Sequence, residues 1–383
     1  MSNYSDTSQT ASTRPHSDDC SDRVVFILPQ LPPAHCGLGD YSMILLGHMR
    51  MDPPPRILVM HGAAETRAAH PELDVQQLPG SQDGLLVLLR ELQAKRVFVQ
   101  YVAQGFQSRG CPLWFLGALR KWRMQTADAC LVMMCQELWF EPAVWKPDWL
   151  LQKFHRRALR QLAGVVDRLF VSTESFHERM DGTIAPDRLQ VLVNPATIPL
   201  AGSPLKAERE EGLIVLFGRQ GSRIFALEDI SPWLAKLNAG GFLKKLLLVG
   251  SRETGTMNDR EDRLVETLLP AGVAEVLGPQ SLESLSQVFL RAEMGIFTKT
   301  ARDFTKSTIF MGYASHGVAI LSQKPTGHDA PPLCWVTSAP ELLDGTIARG
   351  EIQNRGRHLA QWYDENASWA RVAGAYREAL GLT

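Results

Sequence analysis

The chain of 383 residues has little cysteine, and what it has is scattered. Its six cysteines, at 20, 36, 111, 130, 135 and 334, form no C-x-x-C pair and none of the spacings of a metal site. A disulfide or zinc framework is therefore not expected, and small core thiols in a reducing compartment account for the pattern. Neither sign of charge is in excess: 40 Lys and Arg face 41 Asp and Glu, for a net charge of −1. That argues against a nucleic-acid partner held by bulk electrostatics. No apolar run approaches a membrane span and no basic-then-apolar leader opens the chain, so a cytoplasmic protein is expected. No repeat of roughly 20–50 residues is visible, which excludes a solenoid.

What is present alternates. Residues 1–21 are rich in Ser, Thr and Asp and are expected to be a disordered tail. Val24–Leu28 is a continuous apolar run, the signature of a strand buried on both faces. Further strands are predicted at Arg56–Met60, Arg96–Val102, Ala129–Cys135, Arg168–Ser172 and Gln190–Val193, with helices between them. Asn194 to about Arg209 holds three prolines and a glycine and reads as a linker. A second series follows, with strands at Leu213–Phe217, Leu246–Val249, Ala274–Leu277, Met294–Thr298, Val318–Leu321 and Leu333–Val336. The expected fold is α/β: two doubly wound Rossmann-like domains, 22–200 and 201–365, with a ligand in the cleft between them.

The candidate residues sit where strands end. In Pro32–Ser42, Gly37 and Gly39 would let backbone amides approach a phosphate, and Asp40 stands where a helix cap belongs. A plain tight turn accounts for the same residues. Thr305, Lys306 and Ser307 precede a helix-spaced apolar run ending at Gly317, a plausible diphosphate seat, or simply a capped helix with a solvated lysine. Arg219 and Arg223 follow a strand of the second series; they add a planar cationic fork, or pair with acids such as Glu228 or Asp229. Tyr101 and Gln136 also stand at strand ends, where open sheets bind ligands, and His35 stands in the glycine loop. Glu137 and Asp40 are the candidate catalytic carboxylates, with His35 as another base, and Trp139 either stacks on a ligand ring or packs. Lys153, Arg156, Arg157 and Arg160 lie on one helix, either a solvated face or a peripheral contact with anionic lipid.

These segments resemble the GT-B nucleotide-sugar glycosyltransferases, in the broad family 4 group of retaining enzymes. P-P-A-H-C-G-L-G-D-Y-S is similar to that family's first glycine loop, and F-G-R-Q-G-S-R to its Gly-Arg segment. V-L-G-P-Q-S-L-E-S-L-S-Q-V-F resembles the stretch ahead of its donor motif. The closing helices resemble those that cross back, which implies that 366–383 packs on the first domain. The resemblance covers roughly residues 23–380 and implies transfer of a sugar from a nucleotide-diphosphate donor, without cofactor or metal, to a saccharide or lipid-linked acceptor, with His35, Gln136 and Tyr101 on the acceptor side. In such a reaction the leaving phosphate can take the acceptor's proton. The chain departs from the family at its Glu-x7-Glu motif, where Phe304 and Gly312 stand, and at a frequent histidine, where Gln136 stands. A scaffold that binds without turnover is therefore the rival expectation, with a sugar-nucleotide epimerase behind it.

Overall fold

The computed structural model describes residues 23–34, 36–139, 148–253, 255–298, 304–322 and 330–382. The tail expected at 1–21, His35, Trp145 and Asp303 lie outside the described residues. The first sheet holds β1 (Val24–Leu28), β2 (Arg56–Val59), β3 (Asp74–Gln77), β4 (Arg96–Tyr101), β5 (Cys130–Cys135), β6 (Arg168–Val171) and β7 (Leu189–Val191). They run in the order β3-β2-β1-β4-β5-β6-β7, and every pair is parallel.

The second sheet holds β8 (Glu210–Phe217), β9 (Lys245–Val249), β10 (Ala274–Gly278), β11 (Ala292–Ile296), β12 (Ala319–Ser322) and β13 (Thr337–Ser338). Its order is β10-β9-β8-β11-β12-β13, again all parallel. The chain is α/β and doubly wound twice, as the alternation predicts. Strand order reverses between β1 and β4 and between β8 and β11. Beyond the carboxyl ends of strands at such points, open parallel sheets leave a crevice.

All five residues of β1 are buried, because helices cover both faces of the sheet and no polar alternation survives. Val25, Ile27, Val97 and Val99 pack under helices Gln82–Glu91, Leu113–Gln125 and Asp148–Ala163. Phe26 and Phe98, on the other face, lie under Gly37–Met49 and Trp369–Ala379. Trp369–Ala379 comes from the far end of the chain. The preceding helix, Arg349–Ala367, packs on the second sheet through Ile352 and Leu359 and stops at Ser368, whose ψ of 151° is extended. Tyr376 then sits fully buried, its ring 4.7 Å from Phe98 and 5.0 Å from Phe170. Burial of a side chain of this size contributes roughly 1.5–3 kcal/mol.

One predicted strand is different. Leu333–Trp335 is a 3-10 turn, and the strand is the shorter Thr337–Ser338. The amides of Leu333, Cys334, Trp335 and Val336 donate back to carbonyls at 330–333, so none is left for a ladder. Helix Ala63–Ala69 and edge strand β3 were not evident in the pattern, since in β3 only Val75 is buried.

Candidate functional site

At the carboxyl edge of the second sheet, β8 and β9 end in glycines with positive φ, +150° at Gly218 and +131° at Gly250. The two turns pack backbone to backbone: a Cβ on Gly250 would lie 2.1 Å from the Gly218 oxygen. Helix Gln220–Ala239 starts immediately afterwards, with Arg219 at its N-cap and no side chain capping it. Arg219 is exposed and its side chain makes no hydrogen bond or ion pair among the described residues, so its guanidinium is open to an anion.

Arg223, expected beside it as a second phosphate cation, is a correction. It is fully buried one turn into the helix. Its Nε and Nη2 donate to the two oxygens of Glu261 at 2.7 and 2.9 Å, and Nη1 donates to the carbonyls of Gly218 (2.7 Å) and Ser251 (3.1 Å). Gln220 completes the shell, donating to Glu261 at 2.9 Å and accepting from the Glu253 amide at 2.7 Å. Arg223 is bonded on all three nitrogens and holds the β8 and β9 turns together; it pairs with neither Glu228 nor Asp229.

The 304–307 turn leads into helix Thr308–Ser315. Ser307 occupies the N-cap but its hydroxyl makes no cap bond; its amide donates to the Phe304 oxygen at 3.0 Å. Thr305 is half-buried. Phe304 is fully buried, 4.7 Å from the Phe297 ring and 5.1 Å from Phe310. A Cβ on Gly312 would start 3.1 Å from Ile198 and 3.2 Å from Phe289. The two positions at which the resemblance implies carboxylates thus face packed side chains.

Lys306 reaches the other domain. Its Nζ lies 3.5 Å from Glu137 Oε1 and 5.2 Å from the centre of the Phe176 ring. Glu137 follows β5, and Phe176 lies in helix Glu174–Met180, positioned by Thr173, whose hydroxyl accepts from the Phe176 amide at 3.2 Å. Both partners of the pair are partly solvated, 29% and 53% exposed, so the attraction is modest and the lysine remains available to a stronger anion. The structure therefore brings together one residue expected at the donor phosphate and one expected to act on the acceptor. Phe176 carried no sequence signal, because an aromatic in a short helix reads as core.

Gln136, just before Glu137, is buried; its Oε1 accepts from Asn194 Nδ2 at 2.8 Å, and its main-chain oxygen accepts from the Ser172 hydroxyl at 3.3 Å. Gln136 Nε2 and Asn194 Oδ1 are left without partners. Flipping both amides would leave one donor and one acceptor just the same. Tyr101 is a second correction: it is fully buried, not at the acceptor side of the cleft. Its hydroxyl is 2.6 Å from His155 Nε2, and its ring stacks with Phe106 and Phe115. Burial raises the Tyr101 pKa well above the usual phenol value and pushes His155 down to about 4.

Gly37 opens helix Gly37–Met49 at the end of β1 with nothing near its Cβ position. Gly39 is needed for close approach, since a Cβ there would be 3.0 Å from the Gln30 oxygen. The cap position belongs to Cys36; Asp40 lies in the first turn, exposed, its amide donating to the Cys36 oxygen at 2.9 Å. Asp40 is therefore not a cap, and its carboxylate faces solvent near the positive end of the helix dipole. Among the described residues no cluster of three His, Cys, Asp or Glu side chains is arranged to hold a metal.

No protein-family model matches the chain, and no curated protein matches it. Solved structures do. A glycosyltransferase from Rickettsia africae superposes with a TM-score of 0.63 at 11% identity, over 94% of this chain and 100% of that one. Anabaena HepE, solved with UDP-glucose, gives 0.59 at 12% identity over the same 94% and 100%. UDP-GlcNAc 2-epimerase from Neisseria meningitidis, solved with UDP-GlcNAc, gives 0.58 at 10%, again over 94% and 100%. The fold is GT-B. At these identities the likeness is one of fold, and that fold serves a transferase and an epimerase alike.

Proposed function

We propose that the chain binds a nucleotide-diphosphate sugar in the cleft and transfers the sugar to a hydroxyl of a saccharide or lipid-linked acceptor. The observation that carries this reading is Lys306, a cation at the carboxyl edge of one domain held against a carboxylate of the other. Sugar transfer leaves a diphosphate whose growing charge needs cations already in place. In this reading Lys306 and Arg219 supply them, and the helix start at Gly37–Gly39 adds amide donors from the first domain. Glu137 lies within reach of whatever Lys306 binds and is placed to orient the acceptor hydroxyl or take its proton. Asp40 is the alternative carboxylate. With retention, the departing phosphate oxygen takes the proton and Glu137 only positions the acceptor. The solved neighbours that hold UDP-glucose and UDP-GlcNAc support the donor class.

A second reading has its own support. Phe304 and Gly312, packed as described, leave the ribose without the carboxylate contact that the family resemblance implies, and such a chain would bind without turnover. Calorimetric titration with UDP, GDP, ADP and dTDP, repeated on Lys306→Ala, separates the outcomes. One nucleotide bound and weakened in the variant supports the site, and donor turnover then distinguishes transfer from binding. No binding at millimolar nucleotide removes both readings.

The basic helix extends the proposal to localisation. Lys153 and Arg157 are exposed on Asp148–Ala163 beside Leu150 and Phe154, each about half exposed, while Arg120 and Lys121 are exposed on the neighbouring Leu113–Gln125 helix. Apolar anchors among cations suit an anionic bilayer surface. No helix of the described residues is long and apolar enough to cross a membrane. Co-sedimentation with vesicles of phosphatidylglycerol and not phosphatidylcholine, lost in Lys153→Glu/Arg157→Glu, tests the contact.

A further inference from the structure

A cavity of about 740 Å³ opens where the chain passes between the domains, away from the residues assigned to the cleft. None of Arg219, Lys306, Glu137 or the glycine loop lines it. Ile44 and His48 wall it from the first domain, and Leu282 and Ser315 from the second. The connecting segment contributes Ile198, Leu200 and Leu205. Tyr363 and Trp369, on the two crossing helices, close it and also hold that segment: the Ala196 amide donates to the Tyr363 hydroxyl at 3.1 Å, and Trp369 Nε1 donates to the Ala196 oxygen at 2.8 Å. His48 stacks flat on Trp369, their rings 5.5 Å apart and 8° from parallel, giving the cavity an aromatic wall.

The lining chemistry is selective. Leu200, Leu205 and Leu282 are each about half exposed at 46%, 51% and 54%, an apolar concentration that soluble surfaces rarely leave without use. Among the described residues no lysine or arginine lines the cavity, and the one carboxylate is Asp364 at the exposed rim. An anion entering here would lose water and meet hydroxyl and amide donors but no lysine or arginine, so nucleotides, phosphates and fatty-acid carboxylates are disfavoured. The volume falls within the range of small-molecule sites, about 300–1,000 Å³. We infer that this is a second binding site, taking an uncharged apolar small molecule whose flat or aliphatic body stacks along Trp369 and His48. Since its walls come from both domains and from the segment joining them, occupancy ties ligand to interdomain angle.

The test is fluorescence titration with N-phenyl-1-naphthylamine, a neutral apolar probe, against the full chain. Saturable binding with one site is expected, weakened at least tenfold in Ala370→Trp, which fills the cavity from a solvent-exposed position. Leu205→Lys/Leu282→Lys, which charges the mouth without touching the core, is expected to do the same. The anionic 1-anilinonaphthalene-8-sulfonate should bind at least tenfold more weakly than the neutral probe, and Lys306→Ala should change neither. No saturable binding, or equal affinity in both cavity variants, overturns the site. So does weakening by Lys306→Ala, which would put the probe in the cleft. Sedimentation velocity covers the remaining alternative: a dimer of the unmodified chain dissolved by Leu205→Lys/Leu282→Lys makes the leucine rim a contact between copies and overturns it too. Nucleotide titration is independent of all these outcomes.

Discussion

At the carboxyl edge of the first sheet the buried polar side chains are neutral: Gln136, Asn194 and Ser172. At the same edge of the second they include an ion pair, Arg223 on Glu261, beside neutral Gln220 and Ser307, with Arg219 exposed and Lys306 partly so. Amides and hydroxyls match the donor-and-acceptor character of sugar hydroxyls and cost little to desolvate. A buried ion pair is expensive to keep unless every hydrogen bond is made, and Arg223 makes them to two glycine turns at once. On the function proposed above, the first edge suits uncharged groups, while the second ties two loops together beside open cations.

The largest test of this contrast is Arg223→Met, which leaves Glu261 buried without its main cation, with Gln220 still donating at 2.9 Å and Arg252 4.0 Å away. It is expected to cost about 3–5 kcal/mol in urea unfolding. Gln136→Leu, which strands only a neutral amide, should cost about 1–3 kcal/mol. Equal losses would erase the distinction.

Acid reaches both domains alike. His155 in the first and His316 in the second are buried and neutral, each pushed down from 6.5 to about 4, mainly by burial, with Arg209 adding repulsion at His316. The folded pKa lies below the unfolded one, so the unfolded chain takes up protons first. Stability from these groups is complete above about 6.5, falls between 6.5 and 4, and then levels. The loss is of the order of 3 kcal/mol for each histidine. Urea midpoints at stepped pH should drop less steeply for His316→Gln than for the unmodified chain, and an unchanged slope would remove His316 from the account.

Smaller effects separate the two ends of the contact across the cleft. Lys306→Ala should weaken the bound nucleotide at least tenfold, about 1.4 kcal/mol. Glu137→Gln should move thermal stability by less than about 1 kcal/mol, since the pair is half-solvated. It should tighten the nucleotide a few-fold by releasing Lys306, and a change of the same sign in both variants would contradict the assignment.

Most strands were legible because parallel sheets covered on both faces leave unbroken apolar runs such as Val24–Leu28. Edge strands with one buried residue, such as β3, carry no such mark. The site was legible as a set of strand ends and misleading in detail. Arg219 and Arg223 look equivalent in sequence; what divides them is the helix start at Gln220, which turns Arg223 toward Glu261, 38 positions away. Tyr101 stands at a strand end like Gln136, but alternation sends it under the helices with Phe115. Partners so distant in the chain are set by packing and leave no local pattern.

Tyr376 fills the first domain's core although it follows Tyr41 by 335 positions, their hydroxyls 3.4 Å apart. During synthesis, then, the face of β1 and β4 that carries Phe26 and Phe98 emerges from the ribosome long before its cover. Until then, of the two helices over that face, only Gly37–Met49 has been made. A late stop codon would therefore strip part of the core cover from the half of the protein made earliest.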